Sequence, residues 1–460
     1  MTDTLMIGVS GIRGIVDKDL TPDIVRRYAH AFGLWVAAPR GQPRVVLGRD
    51  SRQSGPAFAK ACTAGLVAAG CDVIDLGVVP TPTVQLAVLH HAAGGGIAIT
   101  ASHNPIQWNA LKFIGPDSIF LDGADGKRVL ELADSKAADR RLGGSADGGT
   151  TTTDPNAVAR HLEAVLRLPT VDVEGIRARK FSVALDAVRG AGGPVMRDLL
   201  ERLGCRVTGI NLETDGAFPR APEPVPENLT ELSALVRRSK ADLGIAVDPD
   251  VDRLAIVDET GNPIGEDYTL AFAVRAVLHL PIRPSAHPPA VVVNLSTSLV
   301  VADAARDCGA TLVRTPVGEA YVARKIIELD SPIGGEGNGG VMYPALHVGR
   351  DAPVAAALAL ELVARGKRVS ELVNASPRYA IVKAKVERGA ALEPVYRQLK
   401  AGFADAEVDE QDGLRLGWRD RWLHVRPSNT EPIIRLIAEA PTAEQAQRLV
   451  DEGRRVCGAS

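Results

Sequence analysis

The chain has 460 residues, 45% of them hydrophobic and 24% charged, with a net charge of −3 and only 4% aromatics. That length exceeds a single core and points to about three or four domains, at roughly 150 residues each. The near-neutral charge argues against a generic nucleic-acid binder, and the scarcity of aromatics against a single-strand stacking platform.

The N-terminal stretch MTDTLMIGVSGIRG carries no apolar core of signal-peptide length, and no run reaches the ~18 apolar residues of a membrane span. Cys62, Cys71, Cys205, Cys308 and Cys457 are scattered and odd in number, without CxxC spacing. They read as buried free thiols in a reducing cytoplasm. The expected setting is cytoplasmic, with no nucleic-acid and no membrane partner.

Three segments share one pattern of strand, polar turn, amphipathic helix, glycine and strand. They are VVLGRD…AFAKACTAGLVAAGCDVIDLG, FSVALDAVRGAGGPVMRDLLERLGCRVTGIN and AVVVNLSTSLVVADAARDCGATLVRTP. Their helices are expected to end at Gly70, Gly204 and Gly309, where a C-terminal glycine accepts a positive φ. Strands alternating with helices of this length read as β-α-β units, so three related α/β domains follow one another. The last 90 or so residues differ. Helical periodicity in AALEPVYRQLKAGF and PTAEQAQRLVDEGRRVC brackets the strands GLRLGW, WLHVRP and IIRLIAEA, an α+β unit. The expected domains are 1–150, 151–255, 256–370 and 371–460, the first boundary lying in the Gly/Thr-rich GGSADGGTTTTDPN.

Four loops carry chemistry. In the first, GGGIAITASHNPIQWNALKF, an apolar strand breaks at Ser102-His103-Asn104-Pro105. A hydrolase triad is a poor fit, because neighbouring side chains on an extended chain point to opposite faces and the G-x-S-x-G elbow is missing. In the second, ADLGIAVDPDVDRLAIVDETGNP, Asp248, Asp250 and Asp252 alternate along the chain and lead into Arg253. Three such carboxylates repel unless a cation sits among them, and an all-oxygen donor set suits Mg²⁺ or Ca²⁺. An EF-hand is excluded because Arg253 stands where that loop needs glycine and the flanks read as strands. A straight strand would put the outer two Asp ~13 Å apart, so the loop must curl. A solvated acidic hairpin tip is the alternative.

The third loop, SPIGGEGNGGVMYP, sets Glu336 and Asn338 among glycines, a carboxylate and an amide suited to sugar hydroxyls or else an ordinary turn. In the fourth, WLHVRPSNTEPIIRLIAE, Arg426, Ser428, Asn429 and Thr430 offer a guanidinium fork, hydroxyls and backbone N–H groups suited to a phosphate, although Pro, Ser and Asn are also turn formers. Arg13 in SGIRG and Lys112 supply further positive charge, whereas Arg49 and Arg52 in GRDSR read as structural. Bringing Ser102 to the Asp cluster makes chemical sense. A phosphoserine carries ~−2 charge, which three Asp would reject without a divalent cation.

The ordered set TASHNP, DPDVDR, GGEGNGG and RPSNTEP resembles the α-D-phosphohexomutase superfamily across essentially the whole chain. The resemblance implies a heart-shaped protein of three mixed-sheet α/β domains and a C-terminal domain, with one loop from each meeting in a central cleft. It implies a phosphoserine at Ser102 and Mg²⁺ held by Ser102, Asp248, Asp250 and Asp252. It also implies general acid/base and electrostatic help from Arg13, His103, Lys112 and Arg253. Glu336 and Asn338 would contact sugar hydroxyls, and Arg426, Ser428, Asn429 and Thr430 the non-transferring phosphate. The implied reaction interconverts hexose 1- and 6-phosphates through a bound bisphosphate, with hexose 1,6-bisphosphate as activator, in a monomer or homodimer. Many members have Ser at position 338 and His at position 340, where this chain has Asn338 and Gly340. GEGNGG with SHNPIQWNALKF is similar to the archaeal-type phosphoglucosamine mutase branch. This favours glucosamine phosphate, with glucose or mannose phosphate as alternatives.

Overall fold

The computed structural model describes residues 5–8, 10–38, 43–135, 149–279, 288–387, 392–428 and 433–458. They form four sheets, one per segment of the chain. The first contains β1 (Met6–Gly8), β2 (Gly11–Ile15), β3 (Arg44–Arg49), β4 (Asp72–Val78), β5 (Gly95–Ile99), β6 (Trp108–Ile114) and β7 (Thr151–Thr153). Their order is β1-β2-β6-β5-β3-β4-β7, parallel from β5 to β7 and antiparallel from β1 to β5. The second sheet holds β8 (Ser182–Asp186), β9 (Arg206–Ile210), β10 (Leu243–Val247) and β11 (Leu254–Val257), in the order β11-β10-β8-β9. The third has β12 (Ala290–Asn294), β13 (Thr311–Thr315), β14 (Ile333–Glu336), β15 (Gly340–Tyr343) and β16 (His347–Arg350), in the order β13-β12-β14-β15-β16. The fourth is wholly antiparallel. It consists of β17 (Ala380–Glu387), β18 (Glu407–Asp409), β19 (Leu414–Gly417), β20 (Trp422–Pro427) and β21 (Ile433–Ala440), ordered β17-β21-β20-β19-β18.

The fold class is therefore the expected one: three mixed α/β sheets followed by an α+β unit. The helices Gly55–Ala68, Gly192–Arg202 and Leu299–Asp307 end just before Gly70, Gly204 and Gly309, whose φ angles are 86°, 78° and 72°. These are the left-handed C-terminal positions that the repeat predicts. Two strands fall across the expected boundaries. Thr151–Thr153 adds to the first sheet by pairing with β4, and β11 completes the second sheet at Val257.

Each candidate loop links two neighbouring strands of its sheet. It joins β5 to β6, β10 to β11, β14 to β15, or β20 to β21, and each of these pairs is antiparallel. The loops are thus the tips of hairpins, anchored by ladder hydrogen bonds on both sides.

The cores are not divided evenly. The first and fourth units have their own clusters, around Phe32, Leu47 and Phe113 and around Leu416, Leu423 and Leu436. The second and third share one continuous core that runs from Leu162 through Val247 and Val274 to Leu360. Its centrepiece is the helix Ala352–Ala364, APVAAALALELVA, apolar all round and buried on nearly every face, as such a sequence requires. Asp351 caps that helix through Val354 N at 3.0 Å and accepts His161 Nε2 at 2.8 Å and His347 Nε2 at 2.9 Å.

All five cysteines are free. Cys62, Cys71 and Cys205 are buried as expected, and burial pushes their thiols up. Cys308 and Cys457 are only half-buried. Among the described residues no helix is long and apolar enough to cross a membrane.

Candidate active site

Ser102 sits at the tip of the β5–β6 hairpin with φ +48°, in the left-handed region. This corrects the extended geometry assumed from the sequence. The turn brings its neighbour's ring alongside, so that His103 Nδ1 lies 3.5 Å from Ser102 Oγ. That hydroxyl donates instead to Asp248 Oδ2 at 2.9 Å. The left-handed turn is held from below by a buried network. Arg52, 0% exposed, donates Nη2 to the carbonyls of Ser102 (2.7 Å) and Asn104 (2.6 Å), and Nη1 to those of Pro105 (2.8 Å) and Trp108 (2.9 Å). Its Nε faces Asp50 Oδ2 at 3.1 Å. Thr100 Oγ1 donates to the same carboxylate at 2.7 Å and accepts Ser102 N at 2.9 Å. Arg52 is structural, as its position in GRDSR suggests, but what it structures is the Ser102 loop.

The Asp loop does curl. Val251 adopts φ +62°, and one oxygen from each of Asp248, Asp250 and Asp252 lies within 4.8 Å of the others, all three residues being buried. Every carboxylate has a distinct set of partners. Asp248 Oδ1 accepts the backbone N–H groups of Asp252 and Arg253, both at 3.2 Å. Asp250 Oδ2 accepts Lys112 Nζ at 2.6 Å and Thr81 Oγ1 at 2.8 Å. Asp252 Oδ2 accepts Arg350 Nη2 at 2.6 Å. Asp250 Oδ1 and Asp252 Oδ1 remain buried with no hydrogen-bond partner. Two stranded anionic oxygens beside a third carboxylate fit a hard divalent cation, the usual resolution of such an arrangement.

The charges respond to one another. Burial, then Asp252 and Asp250, hold the Asp248 carboxyl well above the usual carboxylate range. Burial also acts to raise Asp250, but Lys112 outweighs it and the group is lowered. For Lys112 itself burial favours the neutral amine, yet Asp250 and Asp252 keep its pKa above the ordinary lysine value. Burial, with Arg253 and Arg13 nearby, pushes His103 down to about 2, so its imidazole is neutral. Arg13, on β2, donates Nη1 to Asn104 Oδ1 at 2.8 Å, and burial lowers its pKa. Arg253 reaches from the Asp loop to Glu223 Oε1 at 3.3 Å, an oxygen 4.0 Å from His103 Nε2.

Glu336 ends β14, buried, and accepts Asn294 Nδ2 on Oε1 at 2.9 Å and Arg350 Nη1 on Oε2 at 2.8 Å. Asn338 Nδ2 stands 3.5 Å from Glu336 Oε2. Gly339 (φ +86°) must be glycine on two counts, because a Cβ there would also lie 2.4 Å from the Leu254 carbonyl. That close approach lets Leu254 N donate to Gly339 O at 3.0 Å, joining the Glu336 loop to the Asp loop directly.

In the fourth hairpin, Arg426 Nε pairs with Asp412 Oδ2 at 3.1 Å, and the same oxygen accepts Val317 N of the third unit at 3.1 Å. Ser428 is buried, its N–H donating to Ile433 O at 2.9 Å. Asn429 and Thr430 lie outside the described residues. His424 and Glu439 dock this unit onto the third. His424 bridges Ser296 Oγ (2.9 Å) and Asp412 O (2.7 Å), while Glu439 accepts Leu299 N (2.8 Å), Ser298 Oγ and Trp422 Nε1.

The hairpins thus bring Ser102, His103, Arg13, Lys112, Asp248, Asp250, Asp252 and Arg253 into one network. Arg350 ties Glu336 to that network. Sequence reasoning missed Arg350, Glu223, Thr81 and Asn294. Each lies in a stretch without a recognisable motif, and the short HVGRDAP around Arg350 offers only a charged pair ahead of an apolar helix.

Comparison with known proteins agrees with this arrangement. The phosphoglucomutase/phosphomannomutase alpha/beta/alpha domain I, II and III models match residues 4–140, 159–261 and 266–379, and the C-terminal domain model matches 381–456. A phosphoglucomutase/phosphomannomutase of Thermococcus kodakarensis is 38% identical over 456 residues, covering 97% of both chains. A probable phosphoglucosamine mutase of Methanopyrus kandleri is 37% identical over 97% of this chain and 96% of its own. Among solved structures, a phosphoglucomutase/phosphomannomutase family protein from Burkholderia thailandensis superposes with a TM-score of 0.83 at 29% identity, over 98% of this chain and 97% of that one. With all four models matched in order along the chain, and relatives near 38% identity over almost its full length, the chain belongs to the phosphoglucomutase/phosphomannomutase family.

Proposed function

We propose that the protein is a phosphohexomutase that interconverts hexose 1-phosphate and hexose 6-phosphate, with glucosamine phosphate preferred and glucose or mannose phosphate as alternatives. The observation that carries this reading is the Ser102 hydroxyl seated on Asp248 inside a buried cluster with two carboxylate oxygens that accept no hydrogen bond. Asp248, Asp250, Asp252 and a phosphorylated Ser102 would hold Mg²⁺, whose charge allows a dianionic phosphoserine to sit among three carboxylates.

In the reaction the Ser102 Oγ–P bond breaks as a bond forms between phosphorus and a sugar hydroxyl, whose proton leaves. The resulting bisphosphate reorients and returns its other phosphoryl group to Ser102. Arg13, Lys112 and Arg253 surround the position of the transferring group and stabilise its charge. His103, beside Oγ, joins Arg13 and Lys112 as the groups from which the general acid/base is drawn. Glu336 and Asn338 face sugar hydroxyls, and Arg426, Ser428, Asn429 and Thr430 hold the non-transferring phosphate. Hexose 1,6-bisphosphate rephosphorylates the dephospho form. The three boundaries between the four units fall near residues 150, 255 and 370, and the enzyme works in the cytoplasm as a monomer or homodimer. The sugar preference rests on Asn338 and Gly340 and on relatives named as probable phosphoglucosamine mutases.

The test combines intact-mass analysis with a coupled assay. Active protein should carry one phosphoryl group on Ser102, and Ser102→Ala should lose both that increment and turnover. A metal-replete Ser102→Ala variant with full turnover would overturn the reading. Parallel assays with glucosamine, glucose and mannose 1-phosphates rank the substrates.

A further inference from the structure

Arg350 closes β16 and is 7% exposed. Three carboxylates from two units converge on its guanidinium. Asp252 Oδ2 lies 2.6 Å from Nη2, Glu336 Oε2 lies 2.8 Å from Nη1, and Glu319 Oε2 lies 2.9 Å from Nε. A planar guanidinium can hold partners in three directions at once, which a lysine ammonium on a flexible stem cannot reproduce.

For two of these carboxylates the contact selects an oxygen. Asp252 gives Oδ2 to Arg350 and keeps Oδ1 buried and without a hydrogen bond, 3.7 Å from Arg253 Nε. Glu336 is fixed from both sides, with Asn294 on Oε1 and Arg350 on Oε2, which sets the plane its carboxylate presents beside Asn338. The sugar loop is shaped around the same side chain. A Cβ on Gly340 would lie 2.2 Å from Arg350 Cδ, so the arginine stem accounts for the glycine.

We propose that Arg350 is a positioning residue that couples the cation site to the sugar-hydroxyl grip, one guanidinium setting both Asp252 and Glu336 so that filling either site tightens the other. The proposal rests on the mutase reading, since it takes a divalent cation and a hexose phosphate as the two ligands. A cation on Asp252 immobilises that carboxylate, hence the guanidinium, hence Glu336. A sugar on Glu336 immobilises the same chain in reverse. The ordering cost is then met once for two ligands, and the coupling is reciprocal.

The test is a binding cycle in Ser102→Ala protein, which removes phosphoryl transfer from the measurement. Mn²⁺ affinity is read by electron paramagnetic resonance, with and without the tightest-binding of glucosamine, glucose and mannose 6-phosphates. Inorganic phosphate serves as a control probe that offers charge but no hydroxyls. The sugar phosphate should tighten Mn²⁺ by about fivefold or more. Arg350→Lys should bring that factor to about one while leaving the phosphate control unchanged. Gly340→Ala keeps the charge but dislodges the stem, and should show the same loss. It also carries the test should Arg350→Lys fail to fold. Full sugar coupling in either folded variant, or equal loss of coupling to inorganic phosphate, would overturn the proposal. Intact coupling in a wild-type protein that shows no mutase turnover would instead count against the functional reading and leave this one standing.

Discussion

Replacing Arg52 by methionine removes the support beneath the Ser102 loop without touching any group in the proposed reaction. The change deletes hydrogen bonds to the carbonyls of Ser102, Asn104, Pro105 and Trp108 and leaves the Asp50 carboxylate without its counter-charge, though still bonded to Thr100 Oγ1 and the backbone N–H of residue 52. Breaking a buried pair from one side costs about 3–5 kcal/mol. The carbonyls nearest the cleft regain water, so we take about 4 kcal/mol as the total, or about 10 °C on a calorimetric transition of a domain of this size. Turnover should fall about 100-fold or more, since misplacing a reacting group by an ångström has that effect. The effect should also depend on pH. Burial already raises the Asp50 carboxyl, with Arg52 pulling it down. Without the arginine its folded-state pKa rises further above the unfolded value. Its contribution is then favourable only at low pH and is lost as pH rises through the folded pKa, so the variant's deficit should widen from pH 5 to pH 8. The Arg52→Met/Asp50→Asn double variant should be more stable than Arg52→Met alone, because the unpaired charge is gone. Arg52→Met with wild-type melting and wild-type turnover, or a double variant that is simply additive, would refute the reasoning.

Three further outcomes are expected. His424 is buried and pushed down to about 4, mainly by burial. Its stabilising contribution is complete above the unfolded value near 6.5 and is lost as pH falls toward 4, by up to about 3 kcal/mol, and His424→Gln should flatten this part of the pH–stability profile. Glu439→Leu removes the acceptor for Leu299 N, Ser298 Oγ and Trp422 Nε1. This should weaken docking of the fourth unit by about 2–3 kcal/mol and speed proteolysis between residues 375 and 380. Chelation should abolish turnover and Mg²⁺ should restore it. Asp252→Asn should raise the Mg²⁺ concentration for half-maximal activity about tenfold or more, read from a metal titration.

What the sequence disclosed follows from how far apart interacting residues lie along the chain. The C-terminal glycines at 70, 204 and 309 and the Asp248–Asp250–Asp252 triplet are local features, legible because helix ends and clustered charges are decided within a few residues. The Ser102–His103 geometry was misjudged because an extended backbone was assumed where φ is +48°. That conformation is imposed by Arg52, 50 residues away in sequence from Ser102. Arg350 lies 98 residues from Asp252, and no local pattern connects them. The pairing of Thr151–Thr153 with β4 was equally hidden, since a run of exposed threonines shows no inward face.

The core shared by the second and third units has a mechanical consequence. The carboxylate cluster and the Glu336 grip are carried by one body, braced by Ala352–Ala364. The Ser102 hairpin and the Arg426 hairpin belong to units whose principal cores are their own. An intermediate that turns end for end needs room, and the degrees of freedom that supply it lie where packing is interrupted. The spacing between the Asp248–Asp250–Asp252 cluster and Glu336 is therefore the fixed ruler of this enzyme. The distances from that ruler to Ser102 and to Arg426 are the adjustable ones, so crosslinks from either outer unit to the central body should slow turnover far more than a crosslink within it.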